Sequence, residues 1–285
     1  MAYLKILRPK QWVKNLLLFV PLVFAAPSLE WLVANLPRVV IAFVSFSLLA
    51  SAVYVFNDIH DLERDKLHPV KRKRPLPSGQ VSVVGAIVLG LLSAVGSLLL
   101  GLRLGPTFLA VLALYALNNL LYSLVLKNWQ LLDIFSIAFG FVLRVFAGAQ
   151  AIDVPVSTYL FLTVFFLALF LAIGKRRYEV LLLGDEGSNH RSSLRHYSVY
   201  YLDQIMNISA TLTLVVYTLY TLEGSHPMLV LTVPVVVFGL FRYYHITHNL
   251  QKGEPSDDLL SDPFILASAA LYGLLVLSTF LLRRL

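Results

Sequence analysis

Apolar runs of about 20 residues recur along the chain between short polar breaks, a length that carries an α-helix across a hydrocarbon layer. The pattern predicts nine helices, near 15–27, 37–57, 80–102, 105–125, 131–151, 156–174, 204–222, 228–247 and 263–282. The first is short for a span and carries Pro21 and Pro27 as break points. No fixed-period repeat and no low-complexity tract divides the sequence, so one transmembrane domain over 1–285 is the simplest partition.

Composition agrees: 58% of the 285 residues are hydrophobic and 14% charged, an all-α polytopic membrane protein rather than a water-soluble fold. With no Cys, disulfides, thiolate metal sites and cysteine nucleophiles are excluded. The basic start, MAYLKILRPKQWVKN, lacks a small-residue cleavage pattern and reads as a mature cytoplasmic end. Threading nine spans from an inside N-terminus puts eighteen of the 23 Lys and Arg on the cytoplasmic side and four outside, with Arg144 within a span. The formal charge of +7 is therefore mostly topology and needs no nucleic-acid partner. Both long polar segments, 57–79 and 175–203, fall on the cytoplasmic side, and any chemistry is expected there.

The first of those segments, NDIHDLERDKLHPVKRKRPLPSG from Asn57 to Gly79, organises the rest. No Pro or Gly occurs from Ala52 to Leu67, so the preceding helix is expected to run on until Pro69. At about 100° per residue, Asn57, Asp61, Asp65 and Asp58 fall within about 100° of one another on one face. Three carboxylates and an amide crowded there repel each other unless a cation sits among them. Oxygen donors of this kind suit Mg²⁺, held by Asn57, Asp58, Asp61 and Asp65 and completed by substrate phosphates; the alternative is a solvated helix end. Of the four cations that follow, Arg72 and Lys73 read as lipid-headgroup anchors, Lys71 and Arg74 as phosphate ligands.

Other polar positions extend the candidate site. Gln11 and Lys14 lie where the first apolar run begins, and Tyr54 is one turn before Asn57. Tyr122 and Lys127 close the fourth span, as interface anchors or as ligands to a phosphate and ribose. Arg144, deep in an apolar run, requires a partner on another helix or a substrate phosphate, because Asp133 is about 16 Å away along its own helix. Lys175 and Arg176 follow the sixth span. Segment 184–203 reads either as an interfacial connector or as a lid, GEPSDD as a solvated turn, and Asp262 before Pro263 as a helix N-cap.

The NDxxDxxxD pattern at Asn57, Asp58, Asp61 and Asp65, after a second span and before a Pro-bounded basic turn, resembles the first acidic motif of the UbiA-type intramembrane prenyltransferase superfamily. The stretches RPKQWVKN, HPVKRKRP, LDIFSIAFGFVLRVFAGA and IGKRRYE are similar to its decaprenyl-phosphate phosphoribosyltransferase branch. That resemblance implies about nine transmembrane helices around a central cavity open to the cytoplasm. It also implies Mg²⁺-dependent transfer of 5-phosphoribose from phosphoribosyl diphosphate to a polyprenyl (decaprenyl-type) phosphate, feeding arabinose donors for cell-wall polysaccharide. Asp58, Asp61 and Asp65 become the catalytic carboxylates, in a multi-pass protein of the cytoplasmic membrane. Wider-family enzymes carry a second acidic motif after the sixth span, where this chain has Lys175, Arg176, Arg177 and Glu179; the exchange of acids for cations favours the sugar-phosphate branch. The alternative activity is a prenyltransferase joining a prenyl diphosphate to an aromatic or lipid acceptor. A third reading is a transporter or lipid-binding scaffold. A homo-oligomer is compatible with these motifs and specified by none.

Overall fold

The computed structural model describes residues 2–67, 71–183, 192–223, 227–249 and 261–282. Among them the structure is all helical, with no strand. A short helix α1 (Ala2–Ile6) and a 3₁₀ segment (Pro9–Phe19) lead into α2 (Val20–Phe24), α3 (Leu29–His60) and α4 (Leu62–Leu67). Then come α5 (Val83–Leu102), α6 (Pro106–Leu124), α7 (Leu132–Ala151), α8 (Thr158–Leu183), α9 (Val199–Glu223), α10 (Val233–Asn249) and α11 (Pro263–Leu282). Seven of the described helices are long and apolar enough to cross a membrane, and Pro263–Thr279 is a shorter apolar helix. Residues 184–191 of the anticipated connector and the GEPSDD turn lie outside the described residues.

The chain forms two compact units, one of residues 1–124 and 143–155, the other of 125–142 and 156–285. Helix α7 gives its first half to the second unit and its remainder to the first.

In the first unit the predicted opening span is corrected. Residues 9–19 wind as a 3₁₀ helix and only Val20–Phe24 are α-helical. A 3₁₀ run this long is uncommon, and side chains from α3 tie it down. Ser51 Oγ donates to the Leu7 carbonyl at 2.8 Å and accepts from Trp12 Nε1 at 3.0 Å, while Asn15 Nδ2 donates to Ser47 Oγ at 2.9 Å. Close approach is secured by Gly148 of α7, where a Cβ would lie 2.0 Å from the Leu18 carbonyl oxygen. Leu18, Leu22, Phe46, Phe108 and Ala147 fill the core around this seam.

Helix α5 meets α3 through small residues, Ala86 and Gly90 against Val55, Gly96 against Leu48 and Ser97 against Ser45, the residue sizes that let two helix backbones approach in lipid. Ser45 Oγ donates to the Ser97 carbonyl at 2.8 Å across that contact. Its opposite face, with Leu91, Leu92, Leu98 and Leu99, is exposed, as a lipid-facing surface is. In the second unit α8 packs along α9, with Phe170, Met206, Tyr243 and Ile134 in the core. Asp262 caps α11 as anticipated, accepting from the amides of Phe264 and Ile265 at 3.1 and 3.0 Å.

Gly148→Ala is expected to lower the melting temperature of detergent-solubilised protein by the equivalent of about 1–3 kcal/mol or more, because backbone rather than a flexible side chain must give way. Gly273→Ala, whose added methyl meets nothing within 4 Å, leaves the melt unchanged or raises it.

Candidate functional site

The helix bearing the acidic face does not run straight to Leu67. It ends at His60, Asp61 adopts φ −93° and ψ 9°, and α4 restarts at Leu62. The amides of Asp61 and Asp65 still donate to the carbonyls of Asn57 and Asp61, each at 2.9 Å, so the element bends rather than breaks. The single face of four ligands is thereby redistributed. Asp58 and Asp65 are buried, and Asn57 and Asp61 half-buried.

Two turns, about 10 Å of helix, separate Asp58 from Asp65. The guanidinium of Arg74 spans them, Nη1 donating to Asp65 Oδ2 at 2.7 Å and to Asp58 Oδ1 at 3.3 Å. Arg8 Nη2 pairs with the same Asp58 oxygen, and Lys71 Nζ lies 3.8 Å from Asp65 Oδ1. The cation that the acidic pattern demanded is therefore supplied by the chain itself. Asn57 Oδ1 accepts from Ser123 Oγ at 2.6 Å.

Local folding explains why Arg74 reaches back. A 3₁₀ turn at Lys71–Lys73 is closed by Arg74 N to the Lys71 carbonyl at 2.9 Å and Ser78 N to the Arg74 carbonyl at 3.0 Å. Gly79, at φ +75°, completes the reversal, a conformation glycine adopts without steric cost. Leu76 plugs the turn into a cluster with Ile6, Val55, Val81 and Ala86. The four cations separate, with Arg72 and Lys73 exposed and Lys71 and Arg74 against the acids.

Gln11, Lys14, Tyr54 and Tyr122 are half-buried members of the first unit, and Tyr54 presents its ring to Arg8, 5.1 Å from centroid to guanidinium. Arg144 has partners inside the protein, the alternative to a substrate phosphate: Nε donates to Asn15 Oδ1 at 2.8 Å and Nη2 to the Tyr115 hydroxyl at 3.2 Å. Its guanidinium also lies 5.3 and 5.0 Å from the ring centroids of Phe46 and Tyr115. Residue types alone did not single out Arg8, Ser123 or Asn15. A buried Asn in an apolar run and an Arg before Pro were the available signals.

The second unit holds another charged cluster, around Asp133. Arg176 Nε donates to Asp133 Oδ2 at 2.7 Å and its Nη1 to Glu179 Oε2 at 2.5 Å. Tyr197 donates its hydroxyl proton to Asp133 Oδ1 at 2.8 Å and accepts from the Leu131 amide at 2.7 Å. Burial above all, then the charge and hydrogen bond of Asp133, push the Tyr197 phenol above its ordinary pKa, so it stays a donor. Ser193 Oγ donates to the Lys127 carbonyl at 3.0 Å, stitching residues 127–133 to 193–197. The expectation that Arg176 offers its charge to a phosphate is corrected: with 1% of its surface exposed, it is matched by two carboxylates inside the unit. Lys127 and Lys175 are half-buried in this unit.

Among the described residues no three carboxylates or imidazoles come close enough to share one metal ion. Mg²⁺ does not need three, since it is usually bound through one or two carboxylates together with substrate phosphates. The oxygen-only donors of Asp58, Asp65, Asp61 and Asn57 fit that chemistry.

The sequence profile of the UbiA prenyltransferase family matches residues 16–260. The chain is 39% identical over 219 residues to the decaprenyl-phosphate phosphoribosyltransferase of Mycolicibacterium smegmatis, 76% of this chain and 69% of that protein. It is 34% identical over 267 residues to the enzyme of the same name from Mycobacterium tuberculosis, 90% of this chain and 87% of that one. The fold is similar to that of a UbiA homolog from Archaeoglobus fulgidus solved bound to GPP and Mg²⁺, with a TM-score of 0.75 at 19% identity over 98% of this chain and 99% of that one.

Asp133→Ala leaves Arg176 with one carboxylate in a buried position and is expected to cost about 3–5 kcal/mol. Tyr197→Phe costs about 1 kcal/mol and Arg72→Ala about nothing, the ranking being read from thermal unfolding of purified protein.

Proposed function

Because the chain belongs to the UbiA prenyltransferase family, we propose that it transfers 5-phosphoribose from phosphoribosyl diphosphate to a polyprenyl phosphate of the decaprenyl type, releasing diphosphate. The observation that carries this reading is the 34% identity to a decaprenyl-phosphate phosphoribosyltransferase across 90% of the chain. The family match runs through both compact units, which supports treating 1–285 as one functional domain. The protein is a multi-pass membrane protein; placement in the cytoplasmic membrane with the N-terminus and the acidic face inside rests on the asymmetry of Lys and Arg. Its lipid product would feed arabinose donors for the cell wall.

The reaction exchanges one bond for another at the anomeric carbon. An oxygen of the lipid phosphate bonds to that carbon as its bond to the diphosphate breaks, and the electron pair leaves with the diphosphate. The lipid phosphate is already anionic near neutral pH, so no general base is needed. Asp58 and Asp65, with Asn57 and Asp61, supply oxygen ligands for Mg²⁺, which when bound would neutralise charge on the leaving diphosphate. Lys71 and Arg74, tethered to those acids and partly exposed, are placed to turn their N–H groups onto phosphate oxygens. The acidic side chains also favour positive charge as it grows on the ribose carbon. A tail of isoprene units needs an apolar solvent while its head needs ions, which is why such a site lies at the end of a membrane helix.

Membranes containing the protein are expected to convert radiolabelled phosphoribosyl diphosphate and polyprenyl phosphate into a labelled lipid, with loss of product in EDTA. Asp58→Asn and Asp65→Asn should each lower the rate by at least about 100-fold. Consumption of labelled prenyl diphosphate in place of the sugar donor would overturn the assignment.

Orientation is tested separately, since the chain has no native Cys. A cysteine at Ser78 should react with an impermeant thiol reagent in inverted vesicles only, and one at Arg103 in right-side-out vesicles only.

A further inference from the structure

Asp58 is covered by two guanidinium groups that meet on one of its oxygens, those of Arg8 and Arg74. Its side chain is 4% exposed, whereas Arg8 keeps 26% and Arg74 34% of theirs. The carboxylate is thus covered, while each of the two cations on it keeps part of its side chain exposed.

The position of Arg8 is built by its surroundings. Its backbone is in the left-handed region, φ 52° and ψ 57°, a conformation non-glycine residues rarely hold unless their surroundings impose it. Ser51 fixes the chain on both sides, through the Leu7 carbonyl and the Trp12 indole, and Ile6 is buried beside Val55. Tyr54 and Asp58, one turn apart on α3, give the guanidinium a ring to lie over and an anchor to point at. A planar fork fixed at one end with N–H groups to spare is the geometry that grips a phosphate.

We infer that Arg8 is a diphosphate-binding residue that competes with the divalent ion for Asp58, yielding that oxygen to the ion as its own fork turns onto the diphosphate of the donor. The exchange conserves charge, one carboxylate–guanidinium pair becoming one carboxylate–metal and one guanidinium–phosphate contact. It makes ion and diphosphate bind cooperatively, because each removes what the other would have to displace. This inference rests on reading the acidic face as an ion and diphosphate site. It does not depend on whether the donor carries ribose or a prenyl chain.

The test is Mn²⁺ binding to purified protein, followed by the electron paramagnetic resonance of free Mn²⁺, alone and with inorganic diphosphate. Arg8→Gln is expected to bind Mn²⁺ alone about tenfold more tightly than the parent and to lose most of the gain that diphosphate confers. Arg8→Lys, which keeps the charge without the fork, should hold Mn²⁺ alone within about threefold of the parent and still lose most of that gain. This second variant carries the test where Arg8→Gln yields no folded protein. Unchanged or weaker Mn²⁺ binding in Arg8→Gln, or a full diphosphate gain in either variant, overturns the inference. Since neither arm contains phosphoribosyl diphosphate, failure of the proposed sugar transfer would show up in the radiolabel assay and not here.

Discussion

A hydrocarbon solvent offers no hydrogen bonds, so every amide, hydroxyl and charge at membrane depth must find its partner in the protein. That constraint explains the first unit. The 3₁₀ segment at Pro9–Phe19 carries polar side chains into the first unit, and serines at positions 47 and 51 of α3 meet Asn15, Trp12 and the Leu7 carbonyl. Asn15 in turn accepts from Arg144, whose charge costs least where aromatic faces and oxygen acceptors surround it. One satisfied residue thus creates the partner of the next, and the chain of contacts fixes where Arg8 emerges, seven residues before Asn15.

Two buried carboxylates illustrate the same rule at higher stakes. Alone, Asp58 and Asp65 would each lose several kcal/mol of hydration. Arg8, Arg74 and Lys71 offset that loss while remaining partly in water, so the cluster is stable and still open to exchange. On the proposed function, a site that takes a diphosphate and a divalent ion together benefits from keeping both signs of charge in place beforehand. The ligands then trade partners instead of leaving a charge bare.

Much of this was legible in the sequence because the signals were strong and local. Apolar length located the long helices but not the 3₁₀ opening segment, the bias of Lys and Arg suggested their orientation, and four acidic or amide residues within nine positions marked the candidate site. Pro75 follows directly on the turn that brings Arg74 back. The bend at Asp61 was not legible, because no Pro or Gly announces it; a propensity argument sees a good helix through Leu67, whereas the chain turns at Asp61 and Arg74 pairs with Asp65 just beyond. The 3₁₀ winding of residues 9–19 was likewise hidden, since it depends on hydroxyls more than 30 residues away. Arg176 misled for a related reason: a run of cations at a helix end looks alike whether it faces a phosphate or an internal carboxylate, and only tertiary contact with Asp133 separates the two.

Comparison of the two acidic clusters shows what makes one of them a candidate for chemistry. Asp133 and Arg176 are 0% and 1% exposed in their side chains and are backed by Tyr197 and Glu179, so exchanging either partner would strand a charge with no water to receive it. Such a cluster holds the end of α8 to the start of α7. Around Asp58 and Asp65 the carboxylates are as deeply covered, but the covering groups are a quarter to nearly half exposed. Pairing residue types are the same in both places. Exposure of the cations decides whether the pair is a fixed strut or a set of ligands that can be traded for ion and phosphate.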